Sequence, residues 1–206
     1  MNMKKRMLSI VLSGAMAVST AVSAGSFSAF AVAQCVAYSG SNVNDQDYVQ
    51  WSDTVKSYLT VCDNGNYMRV QSGAIKGKLL VEYYSSDFEP LSTKLIDNEL
   101  PIFGAFYDSG NNYYVLSGQE NPKQNDSLEV FRITKYDKNW NKIKSCGLYG
   151  ANTTVPFDAG SARMTHSGDH LLVRTCHEMY KSSDGNNHQA NVTIEVDMPS
   201  MTITDS

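Results

Sequence analysis

The stretch YLTVCDNGNYMRVQSG, Tyr58 to Gly73, decides the fold. Apolar and polar residues alternate on either side of Asp63-Asn64-Gly65-Asn66, the pattern of two half-buried strands joined by a tight turn. The order returns in FGAFYDSGNNYYVLSG, Phe103 to Gly118, and in ARMTHSGDHLLVRTC, Ala162 to Cys176. A second hairpin follows each: KLLVEYYSSDFEPLSTKLI, LEVFRITKYDKNWNKIKS and NVTIEVDMPSMTITDS. The turn glycines Gly65, Gly110 and Gly168 are 45 and 58 residues apart, and the second-hairpin markers Tyr84, Tyr136 and Val196 are 52 and 60 apart. Four strands repeating every ~40 to 50 residues as a meander are the signature of a β-propeller blade. A sandwich with similar hairpins is the competing architecture.

The reading is therefore all-β, three four-stranded antiparallel propeller-like blades over about 55–97, 101–147 and 161–205. The strands fall near Tyr58–Cys62, Tyr67–Ser72, Lys78–Tyr84 and Leu91–Ile96; Ile102–Tyr107, Tyr113–Ser117, Leu128–Tyr136 and Lys142–Cys146; and Ala162–Thr165, Leu171–Met179, Ala190–Val196 and Met201–Thr204. A closed propeller has four or more blades. Three make an incomplete one, with two apolar blade faces open to further blades or to self-association, as part of a larger protein.

Lys4, Lys5 and Arg6 precede a run of apolar and small residues that ends in Ala31-Val32-Ala33. This is the pattern of a secretory signal peptide over 1–33, leaving 34–206 as one domain. Without the three basic residues of that segment, 17 basic and 21 acidic residues leave a net charge of −7. Such an acidic surface disfavours nucleic acid and anionic membranes as partners, and no later segment is apolar enough to insert in a bilayer. The chain is expected to be secreted or held at the cell surface. Cys35, Cys62, Cys146 and Cys176 all follow the signal segment, and Cys35 with Cys62 is the candidate disulfide.

All four histidines lie between His166 and His188. In the third unit, Lys181 to Gln189 is the loop between the second and third strands, and GANTTVPFDAG, Gly150 to Gly160, connects the blades; both emerge on the rim where propellers bind. Asp184-Gly185 signals a turn. Pairing around it sets His177 opposite about Val192, with His188 ~14 Å further along, too far for a shared zinc; nor is His177-Glu178-Met179-Tyr180-Lys181 an H-E-x-x-H motif. No metal or other cofactor is expected. His177 shares parity with Leu171, Val173 and Thr175, which fits a buried histidine hydrogen-bonded between blades. His177, His188 and Asp184 are equally the residues an acid/base site would use. Tyr180, Asp184, Asn186, Asn187 and His188 would suit a glycan or peptide ligand. His166 and His170 flank Gly168 where the other units carry Asp or Asn, so they read as turn formers.

The text GDHLLVRTCHEMYKSSDGNNHQANVTIEVD, Gly168 to Asp197, resembles a segment of uncharacterised exported proteins of Gram-positive gut bacteria with propeller-type repeats. The resemblance spans roughly Cys62 to Ser206 and implies a surface or secreted propeller without implying an activity. The chain is more weakly similar to exported propeller arylsulfotransferases, which use histidines at the central mouth. The function expected is a non-catalytic binding or scaffold module, the alternative a sulfotransferase-like or hydrolytic enzyme with a histidine rim site.

Overall fold

A computed structural model describes residues 54–160 and 162–206. The signal segment and Cys35 lie outside the described residues, and with them the Cys35–Cys62 pairing. Among the described residues there are thirteen strands and no helix, and so no helix long and apolar enough to cross a membrane. Sheet I runs in the order β1 (Ser57–Val61), β2 (Tyr67–Ile75), β3 (Lys78–Tyr84), β4 (Pro90–Asp97). Sheet II is β5 (Ile102–Asp108), β6 (Tyr113–Gly118), β7 (Glu129–Tyr136), β8 (Lys142–Tyr149). Sheet III is β10 (Arg163–Ser167), β11 (His170–Lys181), β12 (Asn187–Asp197), β13 (Thr202–Asp205), with β9 (Thr153–Pro156) pairing β11 off that path. Every pairing is antiparallel and, β9 apart, joins strands consecutive in sequence.

One hairpin turn recurs. In Cys62–Asn66, Ser85–Glu89, Asp137–Asn141 and Ser182–Asn186 the first N–H donates to the fifth carbonyl, and the fourth N–H to the first. The fourth residue is left-handed in each: Gly65 (φ 80°), Phe88 (φ 64°), Trp140 (φ 63°) and Gly185 (φ 86°). A type I turn followed by a left-handed residue fits the right-handed twist of hairpin strands. Glycine takes that position at no steric cost, whereas the aromatics need compensation. Trp140 finds it in a buried cluster, 5.7 Å from Phe106, 4.8 Å from Tyr113 and 5.6 Å from Tyr136 between ring centroids. Phe88 only stacks on Tyr67, at 4.5 Å, with 61% of its surface exposed.

The sheets stack face to face, giving two cores. Met68, Val70, Leu79 and Val81 of sheet I meet Phe103, Phe106, Tyr113 and Val115 of sheet II. Tyr114, Leu116, Phe131 and Ile133 on the other face of sheet II meet Leu171, Val173, Ile194 and Val196 of sheet III. Sheet II is thus apolar on both faces, and all six residues of β6 are buried. The first strands lie side by side: Tyr58 of β1 packs edge-on against Phe103 and Phe106 of β5, both at 6.0 Å, and Tyr107 of β5 meets His166 of β10.

The twelve strands expected from the repeats are present, with three corrections. The connection Gly150–Gly160 contains a strand, β9. His177 pairs with Ala190 and not Val192, because β11 and β12 run on to Lys181 and Asn187 and a bulge follows Glu178; His188 is then only two residues beyond the partner of His177. The outer faces are also unlike. Sheet I carries Leu59, Val61, Leu91 and Leu95 at 49 to 63% exposure, whereas alternation puts His170, Arg174, Thr193, Glu195 and Thr202 on the outer face of sheet III. Leu172 shares that face, opposite Glu195, so the outer face of sheet III is more polar than that of sheet I without being free of apolar residues.

Candidate functional site

One rim gathers the β6–β7 loop, the β8–β9–β10 connection and the β11–β12 hairpin. Asn121, 1% exposed, joins the first two: its N–H donates to the Thr154 carbonyl at 2.7 Å, and its amide donates to the Tyr180 hydroxyl at 2.9 Å. The Asn187 amide donates to the Thr154 hydroxyl at 3.1 Å and the Met179 carbonyl at 2.8 Å. The ligand candidates Tyr180 and Asn187 thus brace the rim.

Asp184, Asn186 and His188 form a local unit. The Asp184 carboxylate accepts from the Ser182 hydroxyl at 2.5 Å, the Asn186 N–H at 3.0 Å and His188 Nε2 at 2.8 Å. The Ser182 hydroxyl first, then the Asn186 N–H and His188, hold its pKa well below the usual carboxylate range. This pair is half exposed.

His177 is placed apart, 4% exposed. Its Nδ1 lies 2.6 Å from the Thr153 hydroxyl, which donates onward to the Ala151 carbonyl at 2.9 Å. That chain is complete when Nδ1 carries the proton and donates to Thr153. Burial lowers the pKa of the ring, favouring the neutral form. Among the described residues no group of three or more His, Cys, Asp or Glu is arranged to hold a metal ion.

Beside the hairpin opens a cleft of about 320 Å³, lined by Thr54, Lys56, Ser72, Pro101, Ile102, Phe103 and Val155 to Asp158. Sheets I and II and the β9–β10 connection all contribute to its wall. Phe157, left-handed at φ 62°, packs edge-on against Phe131 at 5.4 Å. It fits only because residues 104 and 118 are glycines: a Cβ on Gly104 would lie 2.4 Å from the Phe157 ring, and one on Gly118 2.7 Å from it. Asp158 accepts from the Gln189 amide at 2.5 Å, tying the cleft wall to the histidine hairpin. The sequence placed this connection on the rim but did not single out Phe157 and Asp158; its one signal was Pro-Phe-Asp inside a polar linker.

No protein-family model matches the chain, and no curated protein matches it. Among solved structures it is similar to an apocarotenoid oxygenase mutant from Synechocystis, at 10% identity and TM-score 0.46, over 79% of this chain and 40% of that one. It is also similar to two GH43 β-1,3-galactosidases. One, solved with galactodeoxynojirimycin, is 12% identical at TM-score 0.39, over 82% of this chain and 50% of that one. The other is 11% identical at TM-score 0.40, over 73% and 35%. The chain spans half or less of the length of these structures.

Proposed function

We propose that the chain is an exported, propeller-type binding module that holds a polar glycan or peptide in the rim cleft without turning it over. The observation that carries this reading is the cleft itself, with the partly exposed apolar side chains Ile102 and Val155 and a carboxylate, Asp158, on its walls. Carboxylates and amides that bond sugar hydroxyls or peptide groups, beside an apolar surface, are what a polar ligand requires. The three meanders with adjacent first strands support a blade-like arrangement. Leu59, Val61, Leu91 and Leu95 of sheet I are where a further sheet of the same kind would pack, as part of a larger protein.

The half-exposed His188–Asp184 pair favours a second reading, a rim enzyme of the sulfotransferase or hydrolase class. Its acid/base geometry is sound, but both residues serve the turn. Calorimetric screening of glycans and peptides, with aryl sulfates and aryl glycosides as turnover probes, separates the two. The binding module requires a saturable ligand that Asp158→Ala weakens about tenfold and that His188→Ala does not. Turnover abolished by His188→Ala would establish the enzyme, and the absence of any ligand would refute the module.

A further inference from the structure

A second cleft, of about 310 Å³, lies on the opposite rim, where the turns of sheets II and III meet. Two turns and three strands supply its polar side chains. Lys135 of β7 donates one N–H to the Met198 carbonyl at 3.0 Å, and an ammonium has three to give. His166 of β10 engages the Tyr107 hydroxyl through Nδ1 at 2.7 Å, leaving Nε2. Asn112 donates one amide hydrogen to the Tyr136 carbonyl at 3.2 Å and keeps the other. Tyr114 of β6 lines the same cleft, with Lys135 6.0 Å from its ring centroid.

Among the residues that line this cleft, Tyr114 alone carries a buried polar atom without a partner. It is 0% exposed, and its hydroxyl has no hydrogen-bond partner. A buried polar atom left without a partner destabilises the fold, so in a native protein it calls for an account. Burial pushes the Tyr114 pKa up to about 12, so the hydroxyl is a donor at neutral pH. Lys135, Asn112 and Tyr114 together present donors in excess of acceptors. Asp169 also lines the cleft and offsets the charge of Lys135, so the excess of N–H and O–H donors, and not a net charge, is what suits a carboxylate.

We propose that this cleft is a second binding site, for a small monocarboxylate the size of one sugar ring, seated against Lys135, Asn112 and the Tyr114 hydroxyl. The site is independent of the rim cleft and of what that cleft holds.

Titration calorimetry of the exported chain with sodium glucuronate, with glucose as the neutral control, tests it. Saturable glucuronate binding is expected, with glucose silent, and Lys135→Met and Tyr114→Phe should each weaken it about tenfold. Tyr114→Phe should leave the melting temperature of the free protein unlowered, since the hydroxyl it removes has no partner. Asp158→Ala, at the other rim, should not change glucuronate affinity. Absence of saturable binding up to about 10 mM, far weaker than a specific small-ligand site, would overturn the proposal. So would equal binding of glucose, or affinity indifferent to both Lys135→Met and Tyr114→Phe.

Discussion

His177 shows how far a single residue can be read from its neighbours. Parity with Leu171, Val173 and Thr175 was legible and placed it on the buried face of β11. Its partner was not, because Thr153 is 24 residues away and belongs to a strand with no repeat counterpart. The buried ring has a measurable consequence. Its folded pKa lies below the ordinary 6.5, so as pH falls the unfolded chain takes up a proton before the folded one does. The folded state therefore loses stability on acidification below about pH 6.5, and stability rises with pH across that window. The low pKa values of Asp184, Asp137 and Asp197 act in the same direction, but only near and below their ordinary 3.8. Thermal melts at about pH 7 and about pH 5 should show a drop in melting temperature that is smaller in His177→Gln, which keeps an N–H for Thr153. An equal drop in both proteins would remove His177 as the cause.

At the scale of the element, the turns were the legible part and β9 the illegible one. Asp, Asn and Gly at fixed phase located the hairpins, and the strands followed from alternation. Thr153–Pro156 is four residues long and ends in proline, so nothing local marks it as a strand; it forms because the far half of β11 extends past β10 and offers an edge. The two-residue error in the register of His177 has the same origin, since strand ends and a bulge are fixed by tertiary pairing. The repeated turn also shows local preference set against packing. Trp140 and Phe88 hold the same left-handed backbone, yet Trp140 fills the core between sheets I and II while Phe88 stays largely exposed. Trp140→Gly should cost about 3–5 kcal/mol as a core truncation, less the roughly 1–2 kcal/mol of left-handed strain that glycine relieves there too. For Phe88→Gly, relief of a strain of roughly 1–2 kcal/mol offsets a lost ring stack of roughly 0.5–1.5 kcal/mol, so stability should stay within about 1 kcal/mol of the parent. Urea denaturation of the two variants checks this, and similar losses in both would show that the exposed stack at Phe88 matters as much as the buried one.

Across the whole molecule, the repeats made the sheet count and strand order readable, but not what each sheet faces. The near-unbroken apolar run of β6 agrees with a sheet covered on both sides, as Tyr113 and Val115 face sheet I while Tyr114 and Leu116 face sheet III. The two clefts were not readable, because residues from separate sheets build each of them and no sequence window contains them. What holds the account together is that three successive meanders stack with their first strands side by side. Aromatic nuclear Overhauser contacts test this most directly. The account requires cross-peaks from Tyr58 to Phe106 and from Tyr107 to His166, whose ring centroids lie 6.0 and 5.8 Å apart. Both cross-peaks absent, with the intrasheet contacts of β2 with β3 and of β6 with β7 intact, would mean that the sheets form but do not stack in this order.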